Sequence, residues 1–146
     1  NFKVPSGDAL LHVYTKNPAA APRAIEELRK EKSFQTYLMD ETPAHWHYRK
    51  ADDRFNRLGD ILLVPNLPNI FNLSPRKTSP GKHGYDNHHP DMQASFQAWG
   101  PAFKKGVTIP AFENVNVYPM IANILGLQVS ESLIDGKLKE LKPLLK

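Results

Sequence analysis

Gly59-Asp60-Ile61-Leu62-Leu63-Val64-Pro65 is the stretch that decides the fold class of this chain. A turn signal opens it, four apolar residues follow without alternation, and a proline closes it. A run that short and that uniformly apolar reads as a central strand covered on both faces. Upstream, Ala9-Leu10-Leu11-His12-Val13-Tyr14 has the same character and predicts a second buried strand. Between the two, Asn17-Pro18 marks a turn or helix start. A helix is expected over 22–32, with Ala24, Ile25 and Leu28 on one face. Phe34 to Met39 reads as a further strand. Downstream, Ser95-Phe96-Gln97-Ala98-Trp99 alternates and stops at Gly100-Pro101, which predicts another strand. Alternating strand and helix segments argue for an α/β fold, with 9–14, 61–64 and 95–99 in one sheet.

The clearest helix lies near the end of the chain. Tyr118, Ile121, Ala122 and Leu125 stand at i, i+3, i+4 and i+7, the spacing of one helix face. Asn116 is placed as its N-cap, Pro119 in its first turn and Gly126 at its stop. A last short helix is expected over 135–141. Residues 66–82 read as loop, with Ile70-Phe71-Asn72-Leu73 a candidate extended piece. No internal repeat or clean domain boundary is visible.

Composition narrows the function classes. With 146 residues, 40% of them hydrophobic and 23% charged, the chain can build one modest core. The net charge of +4 is spread among acidic residues, as in Glu26-Glu27-Leu28-Arg29-Lys30-Glu31-Lys32. That pattern is a solvated helix face, not a nucleic-acid patch. No apolar run approaches the ~18 residues of a membrane span, and no leader peptide is read in the sequence. The opening at Asn1 without methionine suggests an engineered segment or a proteolytic piece. The absence of cysteine excludes disulfides and thiol nucleophiles.

Chemistry concentrates in Gly81-Lys82-His83-Gly84-Tyr85-Asp86-Asn87-His88-His89-Pro90-Asp91-Met92. Imidazole and carboxylate are the usual ligands of a zinc ion with an open coordination position. Loops at strand ends are where α/β proteins place their sites. The alternative is a polar surface loop with incidental histidines. His45-Trp46-His47 is a second candidate. On a strand the two rings would share a face and could reach one metal, or one ring is hydrogen-bonded and the other exposed around a buried Trp46. His12, inside an apolar strand, reads as a hydrogen-bonded core residue. Ser79-Pro80-Gly81-Lys82-His83-Gly84 lacks the spacing of a P-loop.

His83-Gly84-Tyr85-Asp86-Asn87 with Pro90-Asp91-Met92 resembles a block near the end of nucleotide pyrophosphatase/phosphodiesterases, members of the alkaline phosphatase superfamily. Gly100-Pro101-Ala102-Phe103, Phe112-Glu113-Asn114-Val115-Asn116-Val117-Tyr118-Pro119 and Ile124-Leu125-Gly126-Leu127 continue the resemblance in order. It is close over residues 81–127 and looser upstream, through Pro43-Ala44-His45-Trp46-His47-Tyr48 and Arg57 to Val64.

The resemblance implies the C-terminal part of a single catalytic domain, with an alkaline-phosphatase-like mixed sheet flanked by helices. It implies two zinc ions in the intact enzyme, with His83 a ligand of one. Gly84, Tyr85, Asp86, Asn87 and His47 would orient that ligand. The family's nucleophilic threonine and its Asp-His pair are expected upstream, so this chain alone carries no complete catalytic set and is expected to be inactive. The implied substrate is a small phosphodiester or nucleotide and the implied location extracytoplasmic. The implied partner is the missing N-terminal portion of the same protein, with self-association through an uncovered sheet edge as the alternative. His88 and His89, adjacent in extended backbone, would point to opposite sides and not complete a site with His83. Phosphomonoesterase, phosphonate hydrolase or sulfatase activity, or a non-catalytic α/β binding module, are the other readings.

Overall fold

The structure, a computed structural model, describes residues 2–5 and 7–146. They form two compact units, Asn1–Ala94 and Ser95–Lys146.

The first unit is organised by strand β4 (Ile61–Pro65), buried at every residue. It lies between β2 (Leu11–Thr15) and β3 (Phe34–Leu38), antiparallel to both, and β1 (Phe2–Lys3) adds to the outer side of β2. Helix α1 (Ala21–Leu28) connects β2 to β3. Since both pair with β4, β2 and β3 run parallel with β4 inserted between them, a split βαβ unit.

The period of 2 along β4 explains its double burial. Ile61 and Leu63 face a core of Leu11, Val13 and Ala21, with Ala24, Leu28, Phe34, Leu38 and Phe71 packed around it. Leu62 and Val64 face the other way, onto Met39, with Tyr37, Trp46, Tyr48 and Leu58 around them. One face is covered by α1, the other by the connection from β3 to β4. Asn17 accepts the Ala19 N–H on its side chain at 3.2 Å, capping a 3-10 turn at Pro18–Ala20 that leads into α1.

The second unit packs α2 (Val117–Ile124) against α3 (Leu138–Leu141) over Met120, Leu141, Leu144 and Leu145. Gly126, at φ +69, stops α2. The Leu127 N–H reaches Ala122 O at 2.9 Å and the Gly126 N–H reaches Asn123 O at 3.1 Å, the paired bonds of a left-handed helix end.

The strands over 11–15, 34–38 and 61–65 and the face of α1 follow the sequence pattern. Several expectations do not. Ser95–Trp99 is irregular and exposed, with Trp99 82% accessible. Alternation makes a strand only where a neighbour takes its backbone hydrogen bonds, and among the described residues none pairs there. Helix α2 stands where the spacing put it, but its buried residues are Pro119, Met120 and Ala122, whereas Tyr118, Ile121 and the residue just past its end, Leu125, are 58%, 47% and 65% exposed. Asn116 does not cap α2. It ends a 3-10 turn, Asn114–Asn116, and its side chain accepts the Lys137 N–H instead. Among the described residues no helix is long and apolar enough to cross a membrane.

Candidate functional site

His45 owes its position to its neighbours. Past β3 the chain tucks in Met39 and Thr42, whose hydroxyl donates to Met39 O at 2.8 Å. Pro43 then starts a single 3-10 turn, Ala44–Trp46, closed by the His47 N–H on Ala44 O at 3.1 Å. The Trp46 ring packs onto the Leu62–Val64 face, edge-on to Tyr37 at 5.6 Å. A turn rather than a strand parts the two histidines. His45 is half-buried, and His47 is exposed in left-handed backbone at φ 54, so the pair does not share a face.

The Gly81–Met92 loop is pinned at several points. Lys82 Nζ meets Asp8 Oδ2 at 2.8 Å. Gly84 turns the chain at φ +98, a region closed to most side chains. Tyr85 donates its hydroxyl to Asn69 O at 2.9 Å. Asp86 Oδ1 accepts the His88 N–H at 2.8 Å and lies 3.1 Å from His45 Nε2. The His45 and His88 rings stack, with centroids 4.1 Å apart and planes 12° apart. His83 and Asn87 are exposed on the same loop. His89 turns its Nδ1 to the Asp91 N–H at 3.3 Å.

His45, Asp86 and His88 therefore converge, with one ligand atom from each lying within 4.8 Å of the others. Burial pushes the Asp86 carboxyl up, but the His88 N–H, the His45 ring, the Trp46 indole and the charge of His45 outweigh it and hold the group below its ordinary range. The Trp46 Nε1–H, buried, influences that carboxylate without completing a hydrogen bond of normal geometry. Tyr37 is pushed up by burial and then by the Asp86 charge. Sequence reading missed this convergence, because a turn after Pro43 has to carry His45 to a loop 41 residues away. Pro43 was its one visible signal.

His12 is half-buried between Tyr14 and Tyr48, at 6.3 and 5.8 Å between ring centroids. Its Nδ1 is buried without a hydrogen-bond partner among the described residues, which corrects the expectation of a hydrogen-bonded core histidine.

Of the two-zinc centre implied by the resemblance, the described residues carry one assigned ligand, His83, with the others expected upstream. A catalytic zinc takes three protein ligands and an open position. His83 is one exposed imidazole, and the three-ligand group found among the described residues does not include it.

No protein-family model matches the chain. Over 92 residues it is 38% identical to bis(5'-adenosyl)-triphosphatase of Bos taurus, covering 63% of this chain and 19% of that protein. Over 115 residues it is 36% identical to ectonucleotide pyrophosphatase/phosphodiesterase family member 1 of Mus musculus, covering 78% of this chain and 12% of that protein. The matched part is thus less than a fifth of either relative's length. The solved structure of human ectonucleotide pyrophosphatase/phosphodiesterase 5 matches with a TM-score of 0.84 at 22% identity, covering 99% of this chain and 37% of that one. The murine counterpart, an inactive variant in complex with AMP, matches with a TM-score of 0.79 at 24% identity, over the same shares. At these identities the two structures establish the fold.

Proposed function

We propose, from the premise that this chain belongs to the nucleotide pyrophosphatase/phosphodiesterase family, that it is the C-terminal part of one catalytic domain of a zinc-dependent hydrolase cleaving phosphodiester or pyrophosphate bonds. The observation that carries this reading is the ordered run of family-like segments from His83 to Leu127, on a chain whose fold matches relatives of that family over 99% of its length. Bound zinc would supply Lewis acidity at phosphorus, with His83 contributing one ligand. The loop pinned by Lys82, Gly84, Tyr85 and Asp86 holds the backbone on both sides of His83. That is the positioning role the resemblance assigns to Gly84, Tyr85, Asp86 and Asn87. The substrate is a nucleotide or another small phosphodiester, the location extracytoplasmic, and the chain alone is inactive for want of a nucleophile and a second set of ligands.

The exposed side of α2, with Tyr118, Ile121 and Leu125, supports the proposed contact with the remainder of the same protein, since apolar residues clustered on one helix side mark an interaction surface. The test is zinc per chain and hydrolysis of a chromogenic phosphodiester, on this chain and on the protein with its upstream portion. The longer protein is expected to hydrolyse the diester and this chain to be inert. His83→Ala in the longer protein should lower zinc content and activity together, by at least the ~10- to 100-fold typical of a ligand's supporting residues. Full activity in this chain, or an unaffected His83→Ala enzyme, would overturn the assignment.

A further inference from the structure

We infer that His45, Asp86 and His88 form a binding site for a divalent transition-metal ion, zinc by its ligand chemistry, that does not use His83. The inference goes beyond the phosphodiesterase reading and does not depend on it.

Three observations carry it. The first is spacing. Two donors on one tetrahedral zinc, each bonded at ~2.0 Å, stand about 3.3 Å apart, and His45 Nε2 and Asp86 Oδ1 are 3.1 Å apart. With His88 the three ligand atoms already fall within 4.8 Å of one another, and His88 is the exposed member of the three.

The second is charge and ligand type. One carboxylate and two imidazoles give a borderline donor set that suits zinc, nickel or copper and disfavours calcium and magnesium, which take oxygen. The His45 and His88 rings lie side by side, with centroids 4.1 Å apart. Neutral imidazole is the ligand form. Asp86 is the anion that favours a cation between them.

The third is support around the ligands. His45 is set by the Ala44–Trp46 turn, whose Trp46 is packed onto the sheet. Asp86 is held by the His88 N–H, and the buried Trp46 Nε1–H, without a hydrogen-bond partner among the described residues, acts on its carboxylate. A donor in that place can take the carboxylate oxygen the ion leaves free, as partners of metal-binding carboxylates do. Three protein ligands on a partly exposed surface leave a fourth position for water.

The experiment is titration of the metal-free 146-residue chain with zinc chloride by calorimetry, with cobalt(II) absorption as a report on coordination geometry. The expected result is one zinc per chain and a tetrahedral cobalt spectrum. His88→Ala and Asp86→Asn should each weaken zinc by at least ~10-fold, whereas His83→Ala should leave it unchanged. His88 is exposed, so far-UV circular dichroism of His88→Ala should match the parent. Absence of zinc binding would overturn the proposal. So would binding that is indifferent to His88→Ala and Asp86→Asn, or binding that His83→Ala abolishes. Failure of the phosphodiesterase reading would show separately, as a longer protein without diesterase activity.

Discussion

His45 Nε2 lies 3.1 Å from Asp86 Oδ1 across a sequence separation of 41 residues, which ties the turn beneath the sheet to the histidine-rich loop. The same oxygen accepts the His88 N–H at 2.8 Å. Asp86 is thus the group that shapes the loop from within, whether or not an ion is bound.

Asp86 should titrate below the ordinary 3.8. Its carboxyl is lowered on folding, so its contribution to stability is present above 3.8 and is lost as pH falls through the lower folded value. The contribution is modest, because the side chain is 37% exposed and solvent screens its charges. Carboxyl-detected NMR titration should place the midpoint under 3.8. Asp86→Ala should cost about 1 kcal/mol, the scale of one net hydrogen bond, and speed amide exchange at His88. A midpoint at or above 3.8 would remove the role given to His45 and the His88 N–H.

His12 makes the opposite kind of contribution. Burial pushes its pKa below 6.5, so it is carried neutral in the fold while the unfolded chain takes up a proton readily. Stability from this residue is therefore present above 6.5 and declines as pH falls below it, down to the folded value. Since Nδ1 is buried without a partner, His12→Leu should abolish this slope. It should also leave the chain as stable as before or more so, by up to the ~1–3 kcal/mol that an unsatisfied buried polar group costs. Denaturant melts of both proteins at pH 7.5 and pH 5.5 check it: a slope that survives in His12→Leu assigns the pH dependence elsewhere.

What the sequence made legible depended on how many neighbours each residue needed. Ile61 to Val64 is apolar at every position, so its burial required no knowledge of what covers it, and the strand stands where the pattern put it. Ser95–Trp99 alternates as a strand does, but a strand is a property of a pair, and the partner is not written locally. Helix α2 is apolar nearly all round, as Val117-Tyr118-Pro119-Met120-Ile121-Ala122 shows. Periodicity offered two acceptable faces, and the Leu141–Leu145 segment selected the one holding Met120. The histidines of the loop were visible as chemistry. Their partners were not, because Trp46 had to pack onto the Leu62–Val64 face before His45 could face Asp86.

Asn116 separates two accounts of one residue. As the cap of α2 its side chain would hold the free N–H groups of the first turn, and Ser would serve as well as Asn. The structure gives it other work. Asn116 is 5% exposed, has helical backbone, makes no capping bond, and accepts the Lys137 N–H at 2.8 Å across 21 residues. It therefore fastens the segment before α3 to the start of α2, where both helices share the core of Met120 and Leu141. Removing the acceptor leaves the Lys137 N–H, part-buried, without a partner, at a cost of about 1–3 kcal/mol. Asn116→Ala should lower the unfolding free energy by that amount. Asn116→Ser should not restore it, because a hydroxyl on the shorter side chain falls short of Lys137, whereas Asn116→Asp keeps an acceptor at the same reach and should. The measurement is chemical unfolding of the three variants, with amide exchange at Lys137 as the local readout. If Asn116→Ser recovers full stability while Lys137 exchanges freely, the residue is acting as a cap after all and the tie between the two helices is not what it contributes.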